Sequence, residues 1–311
     1  MKEWFKANHK KHKDFLDDYG KVIILFSGIF VSVILIALII NFSKEQKLRV
    51  SFLDVGQGDA IFIQTPSGKQ MLIDGGANNK ILTRLGEEMS YFDKNIDVLE
   101  ATHPDADHVT GLIPVLEKFK VRTILETKGI GHTQVFDDLQ KHIDDEGAEN
   151  HIAHTGDVID FHDGVIVKIL YPSINYVAKK DDTNEASISV VVLYGDESFL
   201  LTGDLPSTAE SKLISSGLQK SARGGSASGG NITVYKAGHH GSKYSSGEQL
   251  LTYIRPEYSV ISAGKDNKYG HPNPEALERL TKYSKEILST IENGTITFIT
   301  DGKSMEVETG K

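Results

Sequence analysis

The sequence predicts an α+β domain of layered strands and helices, preceded by one transmembrane helix. Three observations carry this reading. Val22–Phe42 is an uncharged apolar run. From Leu48 onward, short β-rich runs alternate with amphipathic helical patterns. Three of those runs end in groups of His and Asp.

The apolar run reads VIILFSGIFVSVILIALIINF, 21 residues. At about 1.5 Å per residue it spans a hydrocarbon core of roughly 30 Å. A buried core helix would be shorter and show a polar face. A cleavable signal is disfavoured, because the run exceeds the usual apolar region and LIINFSKEQ offers no small-x-small site. Lys2, Lys6, Lys10, Lys11, Lys13 and Lys21 precede the run, whereas only Lys44, Lys47 and Arg49 follow closely. The positive-inside rule therefore predicts a single-pass protein of the cell membrane. Residues 1–21 stay in the cytoplasm, 22–42 cross, and the rest is extracytoplasmic.

The 311 residues are 39% hydrophobic and 25% charged, ordinary values for a globular chain. The absence of cysteine excludes disulfides, thiolate metal sites and a cysteine nucleophile. Any metal must then sit on His, Asp, Glu or Asn. A formal charge of −9 argues against a surface that coats nucleic acid. It leaves room for an enzyme that meets phosphates through bound cations.

Strands are predicted at 48–55, 60–64, 70–73, 98–102, 165–170, 187–193, 199–202, 232–236, 258–262 and 295–300. Helices are predicted at 81–89, 109–119, 134–146, 207–216, 248–254 and 274–283. Residues 48–309 read as one domain, with the Gly/Ser-rich 221–231 as a flexible surface insertion.

The chemistry concentrates in His103-Pro104-Asp105-Ala106-Asp107-His108, between a strand and a helix. Two imidazoles and two carboxylates in six residues suit Zn²⁺, Mn²⁺ or Fe. The plain alternative is a helix cap, with Asp107 capping and Asp105 favouring the dipole. Two further strand ends strengthen the metal reading. Thr202-Gly203-Asp204 places a carboxylate at a strand edge, and His239-His240-Gly241-Ser242 follows a third strand.

In this order the motifs resemble those of the metallo-β-lactamase superfamily. The opening Phe52-Leu53-Asp54-Val55-Gly56-Gln57-Gly58-Asp59-Ala60, with Leu72-Ile73-Asp74-Gly75-Gly76 and the later Tyr269-Gly270-His271-Pro272, resembles the hydrolase domain of ComEC-type DNA-uptake proteins. The resemblance covers nearly all of 48–309. It implies an αββα sandwich with a two-metal site at one edge. It also implies that His103, Asp105 and Asp204 hold one metal, and that Asp107, His108, Asp204 and His240 (or His239) hold the other. Asp59 and Asp74 are expected to support the ligand loops.

Asp105 stands where the wider superfamily has His, and no histidine lies between the first cluster and Asp204. Both departures are shared with the ComEC-like branch. In this reading Asn184 or a water fills that gap, or the first site loads only with substrate present. The oxygen-rich set leans toward Mn²⁺ over a tight pair of Zn²⁺, so the expected cofactors are two divalent ions, Mn²⁺ or Zn²⁺.

Asp107 is expected to orient and deprotonate a water, and His271 to donate to an oxyanion or leaving group. Ser242 and Lys243 are candidate phosphate contacts, and Lys236, Lys243, Lys265 and Lys268 a local basic rim. His132, His142, His151, His154 and His162 are expected to be solvated. The expected function is a membrane-anchored nuclease or phosphodiesterase for external DNA, cutting single strands at least as well as duplexes. Its expected partners are the membrane, nucleic acid and a separate DNA-uptake channel. Hydrolysis of another ester, lactone or amide, or a non-catalytic metal-binding sensor or scaffold, are the alternatives.

Overall fold

The computed structural model describes residues 1–43, 47–178, 182–218 and 231–311. Lys44 and residues 221–230 of the Gly/Ser insertion lie outside them. The chain forms two compact units, Met1–Glu45 and Gln46–Lys311.

In the first unit, one helix runs from Lys2 to Ser43, starting twenty residues before the predicted span. The lysine-rich flank contains good helix formers and no proline, so nothing stops the helix from extending backwards. Within it Ile23, Ile24, Leu25, Phe26 and Phe30 are exposed. The helix is long and apolar enough to cross a membrane.

The second unit holds two sheets. In spatial order the first is β15 (Met305–Thr309), β14 (Ile296–Thr300), β1 (Leu48–Phe52), β2 (Ile61–Gln64), β3 (Gln70–Ile73), β4 (Asn95–Ala101), β5 (Lys120–Glu126) and β6 (Glu149–Ile152). The second is β13 (Glu286–Ser289), β12 (Tyr258–Ile261), β11 (Val234–Lys236), β10 (Glu197–Leu201), β9 (Ser189–Tyr194), β8 (Val165–Tyr171) and β7 (Val158–Asp160).

The strand period of two sends Leu48, Val50 and Phe52 from one sheet, and Val165, Val167 and Ile169 from the other, into a shared core. Phe298 joins the layers. Its ring centroid lies 5.9 Å from that of Phe52 in its own sheet, and 6.1 and 5.3 Å from those of Phe199 and Tyr258 opposite. The outer face of the first sheet packs on helices Lys80–Glu88, Leu112–Lys118 and Gln134–Glu146. The outer face of the second packs on Ser207–Leu213, Glu248–Ile254 and Pro274–Tyr283. The result is the αββα sandwich.

Helix formation follows local signals. Gln134–Glu146 buries Leu139 and Ile143, four residues apart. The Thr133 side chain caps its start, and Gly147 ends it in the left-handed region. Pro274 opens its helix at a position where the missing N–H costs nothing.

The predicted helix over 109–119 is instead two short helices, Ala106–Val109 and Leu112–Lys118. The break falls at Gly111, where a Cβ would come within 1.9 Å of the Gly75 carbonyl oxygen. Strands β5, β6, β7, β13 and β15 were not predicted. Every residue of β6 is exposed, so it carries no apolar alternation to read.

Candidate metal centre

In both sheets the central strands run parallel, β3–β4–β5 and β10–β11–β12–β13. Parallel strands share one C-terminal edge, and the candidate residues leave from it. Asp74 follows β3, His103 to His108 follow β4, Asp204 follows β10, and His239 and His240 follow β11.

These turns are tight. Asp74, His239 and His240 have φ of 58°, 48° and 55°. Non-glycine residues there carry strain of order 1–3 kcal/mol each, held by their surroundings. Gly58 permits another close approach, since a Cβ on it would lie 1.7 Å from the Asp107 carbonyl oxygen.

Asp204 is the centre of the cluster. Its Oδ2 lies 3.3 Å from His108 Nε2, 3.4 Å from His240 Nε2, 3.6 Å from His239 Nε2 and 3.8 Å from His103 Nε2. Asp107 Oδ2 lies 3.4 Å from His240 Nε2, and Asp105 Oδ2 lies 3.7 Å from His103 Nε2. Asp105 occupies the helix N-cap position without a side-chain cap bond, and Asp107 sits inside the first turn. Both carboxylates therefore face histidines and make no side-chain cap bond to the helix.

Hydrogen bonds behind the cluster orient three of the rings. His108 Nδ1 donates to Asp74 Oδ2 at 2.7 Å, and His240 Nδ1 to the Ser262 carbonyl at 2.9 Å. His103 Nδ1 donates to Thr102 Oγ1 at 2.9 Å, because that hydroxyl gives its own proton to Asp74. With Nδ1 committed to these partners, each Nε2 is the ring atom aimed inward, the arrangement of metal-binding imidazoles. His108 Nε2 and His240 Nε2 then face each other at 3.3 Å. Two lone pairs at that distance repel, as would two N–H groups, and a cation relieves this. His103 Nε2 and Asp204 Oδ1 have no hydrogen-bond partner among the described residues. The donor set fits divalent metal.

Asp59, His108, Asp204 and His240 are all buried and offer ligand atoms within 4.8 Å of one another. Asp59, however, faces Lys236 and the Nδ1 side of His240, at 3.3 Å, away from the inward Nε2. Lys236 is fully buried, which corrects its expected place in a basic rim.

Residues 53–265 match the metallo-beta-lactamase superfamily. The chain belongs to that superfamily. Among curated members it is 30% identical over 267 residues to ComE operon protein 3 of Bacillus subtilis, covering 80% of this chain and 33% of that protein. It is 30% identical over 254 residues to Recombination protein 2 of Haemophilus influenzae, covering 80% and 28%. The chain thus spans about a third of the length of these relatives. Among solved structures, Igni18, a metallo hydrolase of Ignicoccus hospitalis, aligns with a TM-score of 0.50 at 14% identity, over 80% of this chain and 98% of that one. That likeness concerns the fold.

In this metallo-β-lactamase fold, charge is concentrated where metal would sit. Burial opposes the charge on Asp204, yet His240 and His108 hold its pKa well below the carboxylate range. Burial likewise opposes charge on His108 and His240, but Asp204 raises both well above the ordinary imidazole value, helped by Asp74 and Asp59 respectively. His103 goes the other way, to about 3, through burial and the neighbouring His108.

A cleft of 560 Å³ opens over the cluster, lined among others by Gln57, Asn184, Lys243 and His271. Asn184 Nδ2 is 3.5 Å from His239 Nδ1. His271 is half-buried, its ring centroid 5.3 Å from that of His239. Burial, with His239 and His240 nearby, lowers its pKa to about 4. Lys243 is exposed, whereas Ser242 is buried with its Oγ accepting from Tyr244 N.

Among the remaining histidines, His132 and His162 are exposed. His142 lies 3.6 Å from Glu117. His151 and His154 close on Asp157 at 3.0 and 3.3 Å, rather than standing free in solvent.

Sequence reasoning missed Gln57 as a site residue. Its amide donates to Asp107 Oδ2 at 3.3 Å and accepts from Gly264 N at 3.2 Å, tying the two sheets' edges together. Its place inside the Asp54–Ala60 motif was the available signal.

Proposed function

We propose that this chain is a membrane-anchored, metal-dependent phosphodiesterase acting on extracytoplasmic nucleic acid. The observation that carries the reading is the convergence of the His103, His108 and His240 Nε2 atoms on Asp204 Oδ2 beneath an open cleft. In this reading His103, Asp105 and Asp204 hold one divalent ion. Asp107, His108, Asp204 and His240 hold the second. His240 is preferred over His239 because its Nδ1–H is fixed by a carbonyl.

Bound Mn²⁺ or Zn²⁺ would supply Lewis acidity, bringing a water's pKa toward neutrality and neutralising an oxyanion. The chain's own residues do the positioning. Asp107 is held below the usual carboxylate range by His240 and His108 against burial. It is therefore suited to orient a water by accepting its hydrogen bond more than to keep its proton. His271 is neutral at pH 7 and can offer an N–H to a developing oxyanion. Lys243 at the cleft mouth would meet a phosphate, and Asn184, beside His239 in the same cleft, would complete the first metal's ligands.

The names of the relatives, among them a competence protein of Neisseria gonorrhoeae, favour DNA as the phosphodiester and a separate uptake channel as a partner. The lysine-rich flank before the apolar run favours a cytoplasmic N-terminus with the hydrolase unit outside. The deciding experiment purifies the full chain in detergent, measures bound metal, and offers DNA, a model phosphodiester, esters, lactones and lactams with added Mn²⁺. Phosphodiester turnover supports the proposal. Turnover confined to the ester, lactone or lactam panel overturns it.

A further inference from the structure

Two exposed tyrosines, each preceded by a lysine, line the cleft: Lys243-Tyr244 and Lys268-Tyr269. Tyr244 is 67% and Tyr269 51% exposed. An aromatic ring left this open contributes little to the fold. The backbone beneath the rings, by contrast, is firmly tied. Ser242 Oγ accepts from Tyr244 N at 3.3 Å, and Asn273 Oδ1 from Lys243 N at 2.9 Å. Arg279 donates to the carbonyls of Lys243 and Ser245 at 3.0 and 2.9 Å. On the other loop, Asn267 Oδ1 accepts from both Tyr269 N and His271 N, at 3.2 and 2.9 Å. Tyr269 stacks on His271, with centroids 5.7 Å apart and planes at 22°.

The lysines are available. Lys243 Nζ and Lys268 Nζ lie 5.2 and 5.1 Å from the ring centroids of their tyrosines. Neither pairs with a carboxylate among the described residues. A third Lys-Tyr pair, Lys282-Tyr283, shows the ordinary fate of such a dipeptide. There the ammonium and the hydroxyl are both spent on Glu248, at 2.6 and 2.5 Å.

We infer that Tyr244 and Tyr269 are stacking platforms for unpaired bases, with Lys243 and Lys268 meeting the flanking phosphates, so that the cleft selects single-stranded over duplex nucleic acid. This rests on the phosphodiesterase reading. Base–aromatic stacking tolerates any sequence, and it needs a base face that a duplex keeps inside its own stack. It also answers the electrostatic difficulty. A chain of net charge −9 cannot hold a long strand through a general basic surface, but two rings and two ammonium groups suffice locally.

The test uses the full-length protein with Mn²⁺ in detergent, a short oligothymidylate, and an abasic strand of equal length. Both turnover and binding by fluorescence anisotropy are measured. Y244A should raise KM and Kd for oligothymidylate roughly tenfold with kcat unchanged, and Y269A, whose ring also stacks on His271, should raise Kd roughly tenfold. Both should bind the abasic strand as tightly as the wild type does, and Y244F and Y269F should retain wild-type values. The inference is overturned if the alanine variants bind oligothymidylate normally, or lose affinity equally for the abasic strand. Tyrosine-dependent binding of bases without any hydrolysis would support this inference and sink the phosphodiesterase reading. Equal hydrolysis of both strands by the wild type would do the reverse.

Discussion

The ammonium of Lys236 lies 3.7 Å from Asp204 Oδ1, with both side chains sealed from solvent. Its remaining partners are Asp59 and the Gly203 carbonyl, the latter at 3.1 Å. Burial disfavours a charged lysine, yet Asp59 and Asp204 hold its pKa above the ordinary value. By standing on the Oδ1 side, Lys236 leaves Oδ2 as the oxygen turned to the histidines.

Lys236→Met would leave the carboxylates of Asp59 and Asp204 buried without their cation. The expected loss is about 3–5 kcal/mol in metal-free protein, read from urea unfolding. Adding Asp59→Asn should recover part of it, because the two groups form one buried pair. Additive losses would show that the pair is not coupled.

Asp204→Ala should remove bound metal altogether, measured by elemental analysis, with activity falling at least about hundredfold. His108→Ala and Asp107→Ala should empty one position and likewise abolish turnover, while circular dichroism stays unchanged. Asp105, about a third exposed and set against His103, should behave differently. Its alanine variant should regain activity at high metal concentration. Full metal content in the Asp107 and His108 variants would rule out the proposed ligand set.

Glu210 offers a pH test away from the metal. Burial raises its carboxyl from 4.5 to about 7, against the backbone N–H groups of Gly247 and Ser246 that lower it. The folded state then holds the proton more tightly than the unfolded chain. This contribution is complete below pH 4.5 and is lost as pH rises through about 7. Relative to Glu210→Gln, wild-type unfolding free energy should therefore fall across that window, by up to about 3 kcal/mol. A parallel pair of stability–pH curves would contradict the shift.

Membrane orientation is open to a direct assay. An alkaline phosphatase fused after Lys311 should be active and a fluorescent protein fused there dark, since the former needs export. The opposite pattern would place the hydrolase unit in the cytoplasm.

Local chemistry made much of this protein legible. The apolar run is a matter of composition. Helices 134–146, 248–254 and 274–283 follow from periodicity and end signals within a few residues. The site motifs could be read because their candidate ligands crowd into short turns, His103 to His108 above all.

Tertiary structure decided what depends on residues far away in the chain. Lys236 looks like a surface lysine until Asp59, from the opposite sheet, arrives to neutralise it. The helix predicted over 109–119 has a continuous apolar pattern, and only the approach of Gly75 breaks it at Gly111. The histidine tautomers depend on Asp74 behind His108 and on the Ser262 carbonyl behind His240. Helix and strand periodicities are properties of neighbouring residues. Hydrogen bonds and ion pairs between strand ends exist only once the sheets have packed.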